Sequence, residues 1–337
     1  MSTARRYFLR QYSNEHYRHG GIGYTDMETI LGSEGYTAVQ LPAVRIPVLS
    51  FLVRLVAIGK RWIVAKRCDE WVFIYPVYGR MNRWLLRALL WKRVKVTGIV
   101  GDIDGLKDED AVLLKKDIRF LCALPAVILH NAAMETWLRS VGYSGKIATI
   151  TLFDFLARPS QRPRTLSHTV VFAGNLAKSP FLYQLDQPAF SGLQFNVYGS
   201  GNDDNREWPV LVKHKGAWSP YELPEMLEGS FGLIWDGERW DMPAGSIGRY
   251  MQYISHHKLS LYILAGLPVV VPRIAGSAAF VEANNLGIVV ENMADLEQEI
   301  KKLSEESYFI IRNNLWHWAS RISQGYQLRE ALAALRV

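Results

Sequence analysis

The chain has 337 residues, which at roughly 100–200 residues per domain predicts two domains. Hydrophobic residues make up 49% of the chain and charged residues 21%, so the composition excludes a largely disordered protein. The formal net charge of +7 favours an anionic partner, such as a phosphorylated ligand, nucleic acid or an acidic membrane surface. The sequence has no zinc-finger spacing, RNP aromatics or helix-turn-helix pattern, so nucleic acid is not expected to be the partner.

Two cysteines are too few for a secreted disulfide scaffold and favour a cytoplasmic protein. The N-terminal residues 1–12 are basic and contain no apolar run typical of a signal peptide. The apolar stretch over residues 41–65 is interrupted by four basic residues, so it does not predict a transmembrane helix. We therefore expect a cytoplasmic chain that does not cross a membrane.

In the first half of the chain, short apolar runs alternate with helical patterns. This alternation predicts a parallel sheet whose strands are joined by right-handed helical crossovers. The predicted strands cover 35–41, 71–75, 94–100 and 123–129, and the predicted helices cover 47–66, 82–92 and 132–141.

The second half repeats this organisation after a stretch at 155–165 that contains two prolines, three arginines and no periodicity. We interpret that stretch as a linker between two Rossmann-like domains over 1–154 and 166–310, followed by a helical segment over 311–337. Their parallel sheets are expected to face each other across a cleft. The predicted strands cover 169–173, 195–198, 231–235, 268–272 and 287–290, a helix covers 259–264, and residues 295–335 are helical with a break near Gly325.

The segment from His256 to Pro268 contains a polar helix start followed by an apolar strand. The helix is predicted to begin near His257 or Lys258 and to end at Gly266. A helix start presents unpaired N–H groups and a positive dipole end, both of which suit a phosphate. Capping alone leaves a surface helix with a polar N-cap as an equal alternative.

Several motifs in order resemble one bacterial family of GT-B glycosyltransferases. The motifs are Phe231–Gly237, Tyr250–Tyr253, His257–Tyr262 and Ala265–Val271, with further similarity at Phe172–Ser179, Tyr198–Gly201, Asp69–Pro76 and Gly101–Leu106. The family contains β-1,6-galactofuranosyltransferases and the glucosyltransferase that extends GlcNAc on serine-rich adhesins. Where the family usually has Asn-Asn-Pro before His-Lys, this chain has Ile254, Ser255 and His256.

The resemblance implies an N-terminal acceptor-binding domain and a C-terminal domain that binds the nucleotide sugar. The enzyme would move a hexose (glucose, galactose or galactofuranose) from a UDP-sugar to a glycan hydroxyl, with inversion. The setting would be surface polysaccharide, lipopolysaccharide or glycoprotein assembly, and the acceptor would be a glycan or a lipid-linked glycan. The residues implied in donor binding are Gly21, Lys178, Tyr198, Ser255, His256, His257, Lys258, Leu259 and Ser260.

An inverting transfer to a hydroxyl needs a general base, usually a carboxylate or a histidine. Asp102 is favoured because it follows a predicted strand of the acceptor domain, and Asp104, His19 and Asp26 are its rivals. Each of them could instead cap a helix or lie in a solvated turn. No metal or other cofactor is expected, because helix dipoles and basic side chains can stabilise a leaving diphosphate.

The stretch from Arg80 to Lys95 combines six basic residues with two tryptophans and four leucines. Such a helix either lies on an anionic bilayer or buries its apolar face against the sheet. We expect a peripheral membrane contact and a homo-oligomer as further associations. A non-catalytic GT-B module that binds glycan or supports a partner transferase remains the alternative function.

Overall fold

The structure, a computed structural model, describes residues 4–11, 21–42, 44–203 and 205–336. It divides into two compact units. The first contains the described residues up to Leu129, Glu135–Ile150 and the C-terminal residues from Leu328, and the second contains His130–Met134 and Thr151–Gln327. After Ile150 the chain stays in the second unit as far as Gln327. This change of unit lies four residues before the predicted end of the first domain at 154.

The first unit contains a parallel sheet of six strands in the order β2-β1-β3-β4-β5-β6. This order reverses between β1 and β3, and ligands of open parallel sheets bind outside the carboxyl ends of the strands at such a point. The strands are β1 (Arg6–Leu9), β2 (Thr37–Val39), β3 (Glu70–Tyr75), β4 (Lys95–Val100), β5 (Ala126–Leu129) and β6 (Lys146–Thr149).

The helices of this half confirm the predicted alternation. The sequence analysis did not predict β1, β6 or the helices over 22–33, 104–107 and 111–121. The two strands are only four residues long, the shortest length at which a strand pattern can be recognised. The helices are α1 (Ile22–Ser33), α2 (Pro47–Val64), α3 (Arg80–Trp91), α4 (Asp104–Lys107), α5 (Ala111–Leu121) and α6 (Ala132–Ser140).

Helix α3 lies within the basic stretch considered for membrane contact. Its side chains Leu85, Leu86 and Leu89 are almost completely buried, whereas Trp91 is 78% exposed. The apolar face of α3 therefore packs inside the unit, as in the alternative prediction, and is not free to enter a bilayer. None of the described helices combines the length and the apolarity needed to cross a membrane.

The second unit contains a parallel sheet of six strands in the order β12-β11-β10-β7-β8-β9. Counted along this unit the order is 6-5-4-1-2-3, which is the strand order of the Rossmann fold, with its switch point between β7 and β10. The strands are β7 (Thr169–Ala173), β8 (Gln194–Tyr198), β9 (Val212–His214), β10 (Phe231–Leu233), β11 (Val269–Pro272) and β12 (Gly287–Val290).

The helices of the second half include a C-terminal pair. That pair is separated at Gly325, which adopts a left-handed conformation with φ of 74°, as the predicted break requires. From Leu328 onward the last helix belongs to the first unit, where Arg329 pairs with Glu34 at 2.9 Å. The helices are α7 (Leu223–Met226), α8 (Gly245–Tyr250), α9 (His257–Ala265), α10 (Ala278–Ala283), α11 (Leu296–Lys301), α12 (Glu305–Ile322) and α13 (Tyr326–Arg336).

The segment predicted as a linker is irregular, but it packs against the second unit. The amide of Ser160 donates to the carbonyl of Leu264 at 2.8 Å. Arg164 is only 7% exposed, and its guanidinium Nε donates to the carbonyl of Ala265 at 3.2 Å. These contacts fix the segment to α9 and to the residue that ends it.

Helix α9 is held against the switch point of the second sheet by Tyr262. A Cβ atom on Gly232 of β10 would lie 2.2 Å from the Tyr262 ring, so only glycine permits this close packing. The Tyr262 hydroxyl accepts from the amide of Ala173 at 2.9 Å and donates to the carbonyl of Leu233 at 3.1 Å. It thus bridges β7 and β10 at their carboxyl ends and fixes where α9 begins relative to them.

Candidate functional site

The first turn of α9 lies beside the carboxyl edge of the second sheet. His256 occupies the N-cap position, and its side chain makes no capping hydrogen bond. The first N–H groups of a helix have no intrahelical carbonyl partner, and the helix dipole makes this end electropositive. The helix ends at Gly266, whose φ of 66° is the left-handed conformation predicted there.

Lys258 and Asp236 form an ion pair at this end of the helix. The ammonium Nζ lies 2.6 Å from Asp236 Oδ1 and 3.2 Å from the carbonyl oxygen of Trp235. Each of the two side chains is 15% exposed. An ammonium has three N–H donors, so the two contacts leave one for an anion.

His256 lies on the other side of the same carboxylate. Its Nε2 is 3.2 Å from Asp236 Oδ2, although the N–H direction does not meet hydrogen-bond geometry. Burial alone would raise the pKa of Asp236, but Lys258 and His256 together outweigh it and hold that pKa far below its usual range. Asp236 is therefore ionised at neutral pH and holds the Lys258 ammonium in position.

Two glycines leave room for the lysine at the strand ends. Gly174 follows β7, and a Cβ there would lie 2.9 Å from Lys258 Cε. Gly199 follows β8 with φ of 140°, and a Cβ there would lie 1.9 Å from the carbonyl oxygen of Gly174. The Lys258 ammonium also lies 4.4 Å from the centre of the Phe172 ring, a favourable cation–π distance.

Several of the predicted donor-binding groups already have partners within the second unit. The amide of Ser255 donates to His130 Nδ1 at 3.2 Å, and its hydroxyl oxygen accepts from Asn131 at 3.2 Å. The Ser260 hydroxyl donates to the carbonyl of Phe153 at 2.6 Å. These bonds hold the start of α9 in place and occupy the Ser255 amide and the Ser260 hydroxyl, whereas the Ser255 hydroxyl accepts and keeps its own O–H; the donor-binding roles of both residues stay predictions.

The next two residues of the predicted donor segment also face the interior. The His257 ring packs 4.8 Å from the ring of Phe155, and burial lowers the pKa of His257 to about 4. Leu259 is fully buried, and its amide donates to the carbonyl of His256 at 3.0 Å. The side chains of His257 and Leu259 therefore belong to the core.

Lys178 and Tyr198 have contrasting environments. Lys178 is exposed at the end of a short 3-10 helix, Leu176–Lys178, which follows β7. Tyr198 is only 2% exposed, and its hydroxyl donates to the carbonyl of Met226 and accepts from the amide of Glu228. The Tyr198 side chain is thus buried and Lys178 is exposed, and the donor contacts of both residues stay predictions.

In the first unit, the residues after β4 form a charged cluster. Lys107 Nζ lies 3.1 Å from Asp102 Oδ2 and 3.0 Å from Asp104 Oδ1. Burial lowers the pKa of Lys107, but the two carboxylates outweigh it and raise that pKa above its usual range. The predicted base Asp102 is therefore partnered by an ammonium, and so is its rival Asp104.

The remaining N-terminal candidates lie before or on α1. Gly21 is the N-cap of α1 with φ of 64°, and a Cβ there would meet no atom within 4 Å. Asp26 on α1 is 1% exposed, so this side chain is not available to an acceptor. His19 and Gly20 lie outside the described residues.

A cavity of about 480 Å³ lies beside the carboxyl end of β3 in the first unit. Asp117 on its wall accepts from the Tyr75 hydroxyl at 2.5 Å and from the amide of Gly105 at 2.8 Å. Burial raises the pKa of Asp117 despite these hydrogen bonds. The cavity is lined by Tyr75, Pro76, Val77, Tyr78, Arg83, Arg87, Asp104, Leu113, Lys116, Asp117 and Phe120.

Comparison with known families assigns both halves of the chain. Residues 5–152 match the N-terminal domain, and residues 170–335 the C-terminal domain, described as glucosyltransferase 3-like. The chain belongs to the glucosyltransferase 3-like family. It is a glycosyltransferase, as the motif resemblance predicted.

A curated relative supports the same class of enzyme. The chain is 29% identical over 273 residues to the β-1,6-galactofuranosyltransferase WbbI of Escherichia coli strain K12. The match covers 78% of this chain and 78% of WbbI. The chain is also 24% identical over 272 residues to glucosyltransferase 3 of Streptococcus parasanguinis, over 78% of this chain and 77% of that protein, so the relatives include both galactofuranosyl- and glucosyltransferases.

Solved structures confirm the GT-B fold. TarM superposes with a TM-score of 0.56 at 14% identity, over 84% of this chain and 57% of TarM. The trehalose-6-phosphate synthase OtsA superposes with a TM-score of 0.55 at 7% identity, over 87% of this chain and 78% of OtsA. A mutant of S. aureus TarM has been solved in complex with UDP.

In the sequence, Asp236 follows a predicted strand and could line the cleft or cap a turn, whereas His130 and Asn131, which contact Ser255, are not singled out. The pair His130–Asn131 directly follows β5, and Asp236 lies three residues beyond β10. Polar residues just after buried strands were therefore the signal that could have identified them. Among the described residues, no group of three or more His, Cys, Asp or Glu side chains could hold a metal ion.

Proposed function

We propose that this glycosyltransferase moves a hexose from a UDP-sugar to a glycan hydroxyl, with inversion at the anomeric carbon. The sugar is glucose, galactose or galactofuranose, and the setting is the assembly of surface polysaccharide, lipopolysaccharide or glycoprotein. The observation that carries the proposal is the Lys258–Asp236 pair at the start of α9, beside the switch point of a Rossmann sheet.

The chemistry of this end of α9 suits the leaving group. As the bond to the sugar breaks, negative charge grows on the diphosphate, and a prearranged cation with helix N–H groups stabilises it without reorganisation. Lys258 supplies the cation, and the amides of His257 and Lys258 supply the N–H groups. Asp236 fixes the ammonium beforehand, at 2.6 Å.

The cavity beside β3 is the proposed acceptor site. Its volume is within the range of about 300–1,000 Å³ that is usual for small-ligand sites, and aromatic and charged side chains line it. Asp104 lines the cavity. It is the second candidate for the general base, in addition to the predicted Asp102. Both carboxylates follow β4, at the edge where ligands of such sheets bind.

A thermal-shift panel of UDP-glucose, UDP-galactose and UDP-galactofuranose tests the donor site. We expect one UDP-sugar to stabilise the wild type and the Lys213→Ala variant, and not the Lys258→Ala variant. Lys213 is a suitable control because it is an exposed lysine of the same unit on β9, in register with Asn196 inside β8 and not predicted to bind the donor. If no UDP-sugar stabilises the wild type, the proposed donor class is wrong.

The proposed function includes a peripheral membrane contact, because surface glycans are often built on lipid-linked acceptors. Self-association of the chain also stays a prediction. The basic stretch around α3 supplies charge for the membrane contact, but the buried leucines of α3 do not supply its apolar part.

A further inference from the structure

Helix α2 carries an apolar stripe that faces away from the protein. Within this 18-residue helix, Ser50 and Ile58 are the two buried residues. The exposed fractions are 71% for Val48, 52% for Leu52 and 69% for Ile63. Leu49, Phe51, Leu55, Val56 and Val64 are also exposed, between 43% and 57%.

Four of these side chains lie along one side of α2 and define the stripe. Val48, Leu52, Leu55 and Ile63 recur at intervals of three, four and eight residues, which follow the turns of an α-helix. Surface helices normally turn such a stripe towards the core. An exposed apolar stripe of this length indicates a binding surface.

The charge of the two segments that contain α2 and α3 indicates the chemistry of the partner. Residues 41–68 contain six basic and no acidic side chains, and residues 76–101 again contain six basic and no acidic ones. These two segments therefore carry +12, although the whole chain carries only +7, so the remainder is net negative. Two copies of such a surface would repel each other, whereas an anionic surface would attract it.

Helix α3 positions α2 and adds tryptophan at one end. The Lys92 ammonium donates to the carbonyls of Trp62 and Ile63 at 2.6 Å and 2.9 Å, which caps the last turn of α2. The Trp62 and Trp91 rings stack at 5.6 Å, and Trp91 is 78% exposed. Tryptophan with neighbouring lysine is typical of the boundary between lipid headgroups and acyl chains.

We propose that α2 lies in the plane of an anionic phospholipid bilayer, with its apolar stripe in the headgroup–acyl boundary and its basic neighbours on the phosphates. The assignment rests on the proposed membrane contact and names the surface that makes it. The helix does not span the bilayer, since it lacks the apolarity for that, and its mode of contact is that of an interfacial amphipathic helix.

Vesicle flotation of the full chain tests the assignment. We expect the wild type to float with phosphatidylglycerol-containing vesicles but not with pure phosphatidylcholine vesicles, and to dissociate as salt is raised. Changing Leu52→Glu together with Leu55→Glu should weaken binding by about tenfold or more, because two charges would enter the apolar boundary. The matched control is Phe309→Glu with Ile310→Glu, an exposed apolar pair on α12, which should float like the wild type.

The other outcomes contradict the assignment in distinguishable ways. Undiminished flotation of the α2 variant would show that another surface binds the membrane. Light scattering could also show a dimer of the wild type and of the α12 control that the α2 variant does not form. That result would identify a second copy of the chain as the partner of the stripe. If the wild type does not float at all, the membrane contact is wrong. Transfer from a UDP-sugar to a water-soluble acceptor reports separately on the transferase function.

Discussion

Removing the Lys258 side chain should destabilise the second unit as well as weaken donor binding. In Lys258→Ala the Asp236 carboxylate, whose side chain is 15% exposed, keeps its charge but loses its ammonium partner at 2.6 Å. Removing one member of a buried ion pair typically costs about 3–5 kcal/mol, because the remaining charge is uncompensated. Since Asp236 keeps some exposure and His256 remains 3.2 Å from its carboxylate, we expect the lower end, about 3 kcal/mol. Urea unfolding at neutral pH measures this loss.

The double variant Asp236→Asn with Lys258→Ala separates the two effects. It removes the uncompensated charge, so most of the lost stability should return, to within about 1 kcal/mol of wild type. UDP binding should not return, because the cation is still absent. If Lys258→Ala unfolds like the wild type, or if the double variant binds UDP like the wild type, the assigned role of this pair is refuted.

Three further predictions concern space, proton transfer and pH. Gly174→Ala should displace the Lys258 side chain and weaken UDP binding by about tenfold, because one ionic hydrogen bond would lose its best geometry. The circular dichroism spectrum should not change. UDP affinity equal to that of the wild type would contradict the close contact between Gly174 and Lys258. Turnover should be measured for Asp102→Asn and Asp104→Asn. In the variant that lacks the general base, kcat should fall by a factor of about 10²–10⁴, with little change in KM for the UDP-sugar. If both variants are as active as the wild type, the base is another residue. Burial lowers the pKa of His257 to about 4, from about 6.5 in the unfolded chain. Between these two pH values the unfolded state binds a proton that the folded state does not. The free energy of unfolding should therefore fall by about 3 kcal/mol as the pH drops from 6.5 to 4. Urea unfolding across this range should show a smaller fall for His257→Phe, and an identical fall would show that other groups cause it.

The sequence predicted the two parallel sheets well, because most of their strands are buried on both faces and read as continuous apolar runs. It predicted the start of α9 within two residues and its end at Gly266, since capping and glycine conformation are local properties. It missed β1, β6 and β9, whose places in the sheets depend on pairing with other strands. Local signals do not contain that information.

The candidate site was only partly predictable for the same reason. Lys258 was found from its position at a helix start. Its pairing with Asp236, 22 residues earlier, depends on how β10 and α9 pack around Tyr262 and Gly232. The hydroxyl of Ser260 suited a phosphate by residue type, yet the fold directs it to a backbone carbonyl.

The sequence also could not predict that the apolar face of α2 is exposed. Its period is that of an ordinary amphipathic helix, and the same stripe could equally have packed inside the unit. Only the packing of α3, with its buried leucines, shows which of the two basic helices leaves an apolar face uncovered.

The most direct test of the donor site is a two-dimensional amide NMR titration of the ¹⁵N-labelled protein with UDP. We predict that the backbone amides of His257 and Lys258 show the largest shifts, because a diphosphate at the start of α9 would accept hydrogen bonds from them. The Ser255 amide, which already donates to His130, should shift less. Saturable UDP binding that leaves the amides of His257 and Lys258 unchanged would contradict the central claim that α9 holds the diphosphate.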